Sequence, residues 1–254
     1  MSNSVGALGW LIYKFGVPEG WSEQTVDDLA VVVGGATPSR TDYGYWVGGT
    51  IPWFTPTDIT GQAQKWVEAS AERITVRALK ECACTQLPPG TILYTSRATI
   101  GAKAIAKMPV TTNQGFASFI PKEGVDSEFL YYFLEHLTPV FFRLAAGTTF
   151  LEVSKRDIRR VRCAVPPLKE QLAIARVLGA IDAMIVRVQG SVRIRAASVS
   201  GDSLTDTYAN VRAGLMWTLM TGGTRLNAER VLEARFDPAP NRHGALAPPA
   251  SAVR

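Results

Sequence analysis

The sequence predicts an α+β protein in which a compact, β-rich domain is followed by a long α-helix. Short apolar runs punctuated by glycine, proline and threonine fill residues 20–165, and one amphipathic segment interrupts them. A heptad pattern without proline then begins after Pro166-Pro167. The 254 residues, of which 46% are hydrophobic and 19% charged, are enough for one or two folded domains.

The predicted elements of the first domain follow from local patterns. Leu29–Val33, Thr91–Thr95 and Phe116–Ile120 are short apolar runs bounded by turn-forming residues, which favours β-strands. Ser127–Ala145 instead carries apolar side chains three and four residues apart, the period of an amphipathic helix. Together these elements predict one α+β domain that ends at Pro166-Pro167.

Beyond Pro167, apolar residues recur with the spacing of a coiled-coil seam. The seam residues, which we predict to pack on a partner helix, are Ile174, Leu178, Ile181, Ile185, Val188 and Val192, followed in a shifted phase by Leu215 and Leu219. The pattern predicts a helix from Lys169 to about Met220, about 80 Å long, with Gly190–Gly201 as the site of a break or kink. The proline-rich residues 227–254 predict a disordered tail.

Positive charge is concentrated in one part of the chain. The formal net charge is +5, yet residues 1–139 carry 10 basic and 13 acidic side chains, whereas residues 140–165 carry six basic and two acidic ones. Lys155–Arg162 is the densest basic stretch, and Ser154 with Asp157 predicts a capped helical turn at its start. Such a cluster is either a solvated face or a set of phosphate contacts, and spacing alone favours the first.

Sequence patterns that carry catalysis or metal binding are missing. Three cysteines without paired zinc spacing, and two distant histidines, argue against a metal site and indicate free thiols in a reducing cytoplasm. No phosphate-binding loop, dinucleotide-binding glycine motif or nucleophile elbow occurs. No apolar run reaches 18 residues, and the apolar stretch Val5–Tyr13 lacks the basic start and cleavage site of a signal peptide. We therefore expect a cytoplasmic binding module rather than an enzyme.

Short motifs follow one another along the chain in a recognisable order. The most specific is Pro166–Ala175 (PPLKEQLAIA), followed by Leu178 and Ile181-Asp182. The others are Pro18–Trp21, Gly34–Ser39, Ile51–Ile59, Ser96–Gly101, Thr112–Gly115 and Gly214–Gly222. Their order and spacing over about residues 17–226 resemble the DNA-specificity subunit of type I restriction–modification systems.

The resemblance implies a division of labour between two parts of the chain. Residues 17–166 would be a target recognition domain that reads double-stranded DNA, and residues 167–226 a helix for dimerisation and methyltransferase docking. The chain would be a non-catalytic specificity subunit without a cofactor of its own. S-adenosylmethionine is expected on the partner methyltransferase subunit, and a motor–nuclease restriction subunit would join for cleavage.

The length of the chain bears on how it would assemble. A full subunit of this family resembles two such halves in tandem, so the chain is interpreted as a half-length form with a single target recognition domain. It would pair with itself or another half-subunit through the long helix, or represent a truncated or exchangeable cassette. The alternative function is that of an orphan half-subunit acting only as a protein-interaction scaffold for the methyltransferase subunit.

Polar side chains on three predicted loops are the candidate DNA contacts, because short polar groups and arginines suit base edges and phosphates. They are Thr37, Ser39, Thr55 and Asp58; Ser96, Arg97 and Thr99; and Thr148, Lys155, Arg156, Arg159 and Arg160. Alternatively, Asp58 and the Thr-Pro-Ser loop build turns and caps, and Asn113 and Gln114 satisfy buried backbone groups. Trp46 and Trp53 are expected in the core.

Overall fold

The structure is a computed structural model that describes residues 16–61, 64–146, 151–195, 202–224, 226 and 228–233, with side chains except those of 188–195 and 202–208. The strands are β1 (Ser22–Thr25), β2 (Ala30–Gly34), β3 (Ile51–Phe54), β4 (Trp66–Val67), β5 (Glu72–Ile74), β6 (Ile92–Tyr94), β7 (Lys103–Ala106), β8 (Thr111–Thr112), β9 (Ala117–Pro121) and β10 (Arg162–Val165). The α-helices are α1 (Val26–Leu29), α2 (Pro56–Ile59), α3 (Val76–Glu81), α4 (Ser127–Leu144), α5 (Lys155–Arg160), α6 (Leu168–Arg195), α7 (Asp202–Met220) and α8 (Ala228–Glu233). This mixture confirms the predicted α+β class.

A five-stranded sheet in the order β2-β9-β6-β7-β4 forms the centre of the domain. The strands β2, β6 and β9 overlap the three apolar runs that predicted strands. Strand β2 runs antiparallel to β9, with Gly34 opposite Ala117 and Ala30 opposite Pro121. The loops that leave β2 and enter β9 therefore lie at the same end of the sheet.

Helix α4 packs on the central sheet and confirms the helix predicted over residues 127–145. Asp126 caps its first turn by accepting a hydrogen bond from the backbone N–H of Phe129 at 2.7 Å. The apolar face of the helix is buried, and Phe141 meets Tyr94 of β6 edge to face at 5.7 Å. This helix-on-sheet layer is the main hydrophobic core.

A smaller, three-stranded sheet in the order β5-β3-β8 lies beside the central sheet. Its separate core contains Trp53, Ile74 and Ala78. Trp53 is only 1% exposed, as expected for a core tryptophan, whereas Trp46 is half-buried and packs edge-on against it at 5.0 Å.

The main core continues beyond Pro166, where the sequence predicts the end of the domain. Strands β1 and β10 pair to bring the start of the domain next to Pro166. The Trp21 indole N–H then donates to Glu170 Oε2 at 3.1 Å, a buried contact with the first turn of α6. Ile174 and Leu178 belong to the same apolar cluster as α4, so the beginning of α6 is part of the recognition-domain core.

The predicted continuous helix of about 80 Å is replaced by two helices, α6 and α7. Helix α6 is described to Arg195 and α7 from Asp202, and residues 196–201 between them, which belong to the segment predicted to break, lie outside the described residues. Helix α7 returns antiparallel along α6, because Arg212 of α7 contacts Asp182 of α6 and Leu219 reaches the cluster around Leu178. We call this pair the helical hairpin. One helix thus covers the seam of the other within the same chain.

The seam residues that we predict to pack on a partner helix differ in solvent exposure. Ile174, Leu178 and Leu219 are at most 1% exposed and already buried in the chain's own core, so these three are not available to a partner helix. Ile181, Ile185 and Leu215 are half-buried. The side chains of Val188 and Val192 lie outside the described residues.

The predicted disordered tail begins with a short helix. Helix α8 packs on α6, where Lys169 Nζ pairs with Glu229 Oε1 at 2.7 Å and the Arg176 guanidinium donates to the Leu232 carbonyl. These contacts give residues 228–233 an anchor that composition alone does not reveal. Residues 227 and 234–254 lie outside the described part of the chain. Among the described helices, none is long and apolar enough to cross a membrane.

Candidate nucleic-acid interface

Five loops meet at one end of the central sheet and form a continuous surface. We call it the loop face, and it comprises residues 34–39, 54–58, 95–101, 112–115 and 151–156. At its centre, Ala36 N–H donates to the Thr112 carbonyl at 2.9 Å, and Asn113 N–H donates to the Phe54 carbonyl at 3.0 Å. Ser96 N–H donates to the Gly115 carbonyl at 2.8 Å. The 112–115 loop therefore holds three of the other loops in place.

Side chains of the short motifs stabilise this central junction. Thr37 Oγ1 donates to Gln114 Oε1 at 2.6 Å, and Asn113 Oδ1 accepts from the Gly115 N–H at 2.8 Å. Ser96 is 3% exposed and its carbonyl accepts from the Val153 N–H at 3.1 Å. These contacts agree with the structural alternative for Asn113, and they give Thr37 and Ser96 local partners.

Thr55 and Asp58 form the cap of helix α2. Asp58 Oδ2 accepts from the Thr55 N–H at 2.6 Å and from Thr55 Oγ1 at 2.7 Å. Asp58 Oδ1 accepts from the Ala71 N–H at 2.8 Å. Because both carboxylate oxygens of Asp58 accept hydrogen bonds within the chain, Thr55 and Asp58 stabilise the structure of the loop face.

The second candidate group lies on a tight turn after β6. Arg97 is exposed, and its Nε lies 2.8 Å from Glu152 Oε1, with both side chains nearly half accessible. Ala98 adopts a left-handed backbone conformation, with φ at 57°, which non-glycine residues seldom adopt. Thr99 is exposed, as is Ser39 on the first loop. Thr148 lies outside the described residues.

The basic cluster forms helix α5, which begins as the sequence predicts. Ser154 Oγ accepts from the Asp157 N–H at 3.1 Å and caps the helix. Arg159 turns inward, donating to the Val32 carbonyl at the edge of the central sheet and lying 3.6 Å from Asp27 Oδ1. Arg159 therefore stabilises the fold through these contacts, a role that its place in the basic cluster does not indicate.

The remaining cations of α5 point outward. Lys155, Arg156 and Arg160 are exposed, and in the part of the chain that the structure describes none of them forms an ion pair. The Lys155 ammonium lies over Gly34, at the border of the loop face. The structure therefore brings the first and third predicted groups together, because Lys155 adjoins the loop that carries Thr37 and Ser39.

A half-buried polar network, which no local sequence pattern indicates, joins the domain to the helical hairpin. Arg212 Nη1 lies 2.8 Å from Glu135 Oε1, and Lys103 Nζ lies 2.9 Å from Glu135 Oε2. Arg212 also binds Asp182, whose Oδ2 accepts from the Tyr132 hydroxyl at 2.6 Å. Burial opposes ionisation of Glu135, but the hydrogen bonds from Arg212 and the charge of Lys103 outweigh it and lower its pKa to about 2. The hairpin is thus docked on the domain by ion pairs as well as by apolar packing.

Burial of His136 predicts that acid weakens this docking. The ring is 5% exposed, lies against Trp217 of α7 at 5.1 Å, and burial lowers its pKa to about 4. The unfolded chain takes up a proton near pH 6.5, so stability is present above that pH and is lost as the pH falls towards 4. We expect urea unfolding to show a loss of about 2 kcal/mol between pH 7 and pH 4.5. His136→Phe should flatten this dependence, and an unchanged slope in that variant would contradict the assignment.

This geometry defines a class of protein. Such a protein has an α+β domain with a surface built of loops, and a helical hairpin is docked on the domain. The family model of the type I restriction modification DNA specificity domain matches residues 18–190, more than half of the chain. The chain therefore belongs to this family.

Individual relatives agree with the family match. The chain is 42% identical over 171 residues to the type I restriction enzyme MjaIX specificity subunit of Methanocaldococcus jannaschii, a match that covers 66% of this chain and 39% of that protein. It is 26% identical over 167 residues to the EcoR124I/EcoR124II specificity subunit of Escherichia coli, covering 63% of this chain and 41% of the relative. The matched region thus spans less than half of these curated relatives.

A solved structure from a study of complex assembly and conformational transition of the type I R-M system has a similar fold. Its TM-score to this chain is 0.52 at 19% sequence identity, with 87% of this chain and 53% of the other covered. The likeness concerns the fold alone.

Proposed function

We propose that this chain recognises specific sequences in double-stranded DNA through the loop face and helix α5. It would do so as the specificity component of a type I restriction–modification complex. One observation carries this conclusion: the loop face of a family member is bordered by three exposed cations of α5, and none of them forms an ion pair with a described residue. Directed polar groups on loops can read base edges while cations hold the phosphates, which is how sequence-specific DNA contacts are divided.

The proposal assigns no catalytic step to this chain. Methyl transfer would belong to a methyltransferase subunit that carries S-adenosylmethionine, and cleavage to a motor–nuclease subunit. The helical hairpin is the proposed attachment for the methyltransferase subunit, or for a second specificity chain. Its outward surface supports this role, since Met184 and Val186 on α6 and Val211 on α7 are each more than half exposed.

Charge reversal on helix α5 tests where DNA binds. In the complex with its methyltransferase subunit, the double variant Arg156→Glu/Arg160→Glu should bind a target duplex at least about tenfold more weakly at low salt. The dependence of log affinity on log salt should also become shallower by about 2, because two phosphate contacts are lost. Fluorescence anisotropy over a salt series measures both effects.

A matched double reversal away from the loop face and α5 serves as the control. Lys107 follows β7 and Lys80 lies on α3, which follows the end of β5 that is away from the loop face, and both are exposed. Lys107→Glu/Lys80→Glu changes the net charge by the same amount and should leave the salt slope nearly unchanged. Equal losses from both double variants, or no loss from the α5 variant, would show that α5 is not the contact surface. Sequence-independent binding by the wild-type complex would instead favour a scaffold function.

A further inference from the structure

Arg40, which is not among the candidate DNA contacts named above, is held beside the loop face by two aromatic rings and a carboxylate. Its guanidinium carbon lies 3.8 Å from the ring centroid of Trp46 and 4.9 Å from that of Trp53. Both terminal nitrogens bind the Glu72 carboxylate, with Nη2 at 2.8 Å from Oε2. An aromatic face and a forked ion pair together determine one orientation of this side chain.

The aromatic surface beneath Arg40 is itself anchored. The Trp46 indole N–H donates to the Ser39 carbonyl at 2.9 Å, and the Trp53 indole N–H donates to the Ala36 carbonyl at 2.9 Å. The two rings meet edge to face at 5.0 Å. The backbone of the first loop is therefore hydrogen-bonded to the two rings that Arg40 contacts.

Arg40 lies at the end of the small sheet that adjoins the loop face. Glu72 pairs with Trp53 in the β3–β5 ladder, and β3 continues directly into Thr55 and Asp58 of the loop face. Along the chain, Arg40 follows Ser39, the last residue of the first loop. Its side chain remains 51% accessible although it is stacked and paired.

The chemistry of this arrangement suits a base edge better than a simple internal contact. An arginine carries five N–H donors, and Glu72 uses one on each terminal nitrogen, so three donors are left for another acceptor. A side chain that is already ordered loses little conformational entropy when it binds. Guanine presents two adjacent acceptors, O6 and N7, in the major groove, and the second fork of the guanidinium, formed by Nε–H and the Nη2–H that Glu72 does not use, matches them.

We propose that Arg40 is a specificity-determining residue that reads a guanine in the target duplex, with Glu72 as its positioning residue. This inference rests on the proposed function, because it requires the loop face to meet DNA. The inference adds to the proposed function the identity of one base, guanine, that part of the site selects.

The test compares two arginines with nearly the same surroundings. Arg77 is 52% accessible, lies over Tyr45 at 4.9 Å and pairs with Asp42 and Glu81. It differs from Arg40 in location, because its helix α3 follows the end of β5 that lies away from the loop face. The complex of the full chain with its methyltransferase subunit is supplied with S-adenosylmethionine and a randomised duplex library. Sequencing of the methylated products then gives the base preference at each position for wild type, Arg40→Gln and Arg77→Gln.

We expect Arg40→Gln to lower the preference for guanine at one position by about tenfold to a hundredfold, while preferences elsewhere in the site stay the same. Glu72→Gln should weaken that same preference less, because it loosens the arginine without removing it. Arg77→Gln should leave every position unchanged at a similar melting temperature. If both arginine variants only lower the melting temperature, or if the wild-type site contains no guanine, Arg40 is a structural contact and the inference is wrong. If the wild-type complex methylates without any preference, the proposed function fails first.

Discussion

Replacing Gly35 by alanine is expected to lower the free energy of unfolding by about 3 kcal/mol and to disrupt the loop face. A Cβ atom at this position would lie less than 3.0 Å from the carbonyl oxygens of Thr112 and Asn113, closer than real Cβ atoms come to other groups. Both obstacles are backbone atoms of the central 112–115 loop, so no side chain can turn away to make room. The first loop would have to separate from the loop on which the others rest.

The neighbouring glycine provides the control for this prediction. A Cβ at Gly34 would meet the Lys155 ammonium at 2.6 Å, and that flexible side chain can move at little cost. Gly34→Ala should therefore change stability by less than about 1 kcal/mol. Urea unfolding followed by tryptophan fluorescence measures both variants. Equal stability of the two would mean that the first and central loops are not in contact as described.

Removing the charge of Arg212 is expected to release the helical hairpin from the domain. Arg212→Met leaves two carboxylates, Glu135 and Asp182, with Lys103 as the nearest remaining cation of the network. Removing one partner from this half-buried ion-pair network costs about 2 kcal/mol, because the carboxylates left behind are only partly solvated and lose their charged hydrogen bonds. The loss should appear first as exposure of α7, since the network supplies the polar part of its docking surface.

Hydrogen exchange on the full chain separates local release from global unfolding. In Arg212→Met, amides of residues 209–220 should exchange at least about tenfold faster, with a smaller change in β6 and β9. Arg187→Met is the matched control, because Arg187 is exposed on α6 and forms no ion pair within the described residues. Equal protection of α7 in the two variants would show that apolar contacts alone hold the hairpin.

Acid should weaken the same docking in two separate ranges. His136 stops contributing between pH 6.5 and about 4, because burial favours its neutral form. The ionised Glu135 stabilises the fold above pH 4.5, and this contribution is lost only as the pH falls from there towards 2. The two contributions can therefore be separated by pH.

Local patterns in the sequence predicted the elements that depend on neighbours along the chain. The apolar runs at β2, β6 and β9, the amphipathic helix α4 and the Ser154 cap of α5 each follow from residues within a few positions of one another. The family resemblance rests on the same kind of evidence, since its motifs are short. Asp58 shows the limit of this evidence. The same local sequence fits a capping residue and a DNA-contacting residue, and only the structure shows that Asp58 caps α2.

The heptad seam predicts an apolar stripe that packs on a partner helix, and the structure contradicts the partner role for three of its residues only. Periodicity indicates that Ile174, Leu178 and Leu219 must be covered, but it does not indicate by what. In the structure the domain and the returning helix α7 cover them. For Ile181, Ile185, Val188, Val192 and Leu215 the pairing with a partner helix stays a prediction.

The amino-acid order alone therefore established the α+β class, most strands of the central sheet, the family and the basic character of α5, because each depends on nearby residues. Tertiary structure decided which polar groups face outward and which hold the loops together. It also assembled Lys103, Glu135, Asp182 and Arg212 into one network, and placed Arg40 against Trp46, Trp53 and Glu72. Apart from near neighbours such as Arg40 and Trp46, these groups are far apart in sequence, and only the folded chain brings their charges and rings within a few ångströms, where Coulombic and cation–π attraction become strong.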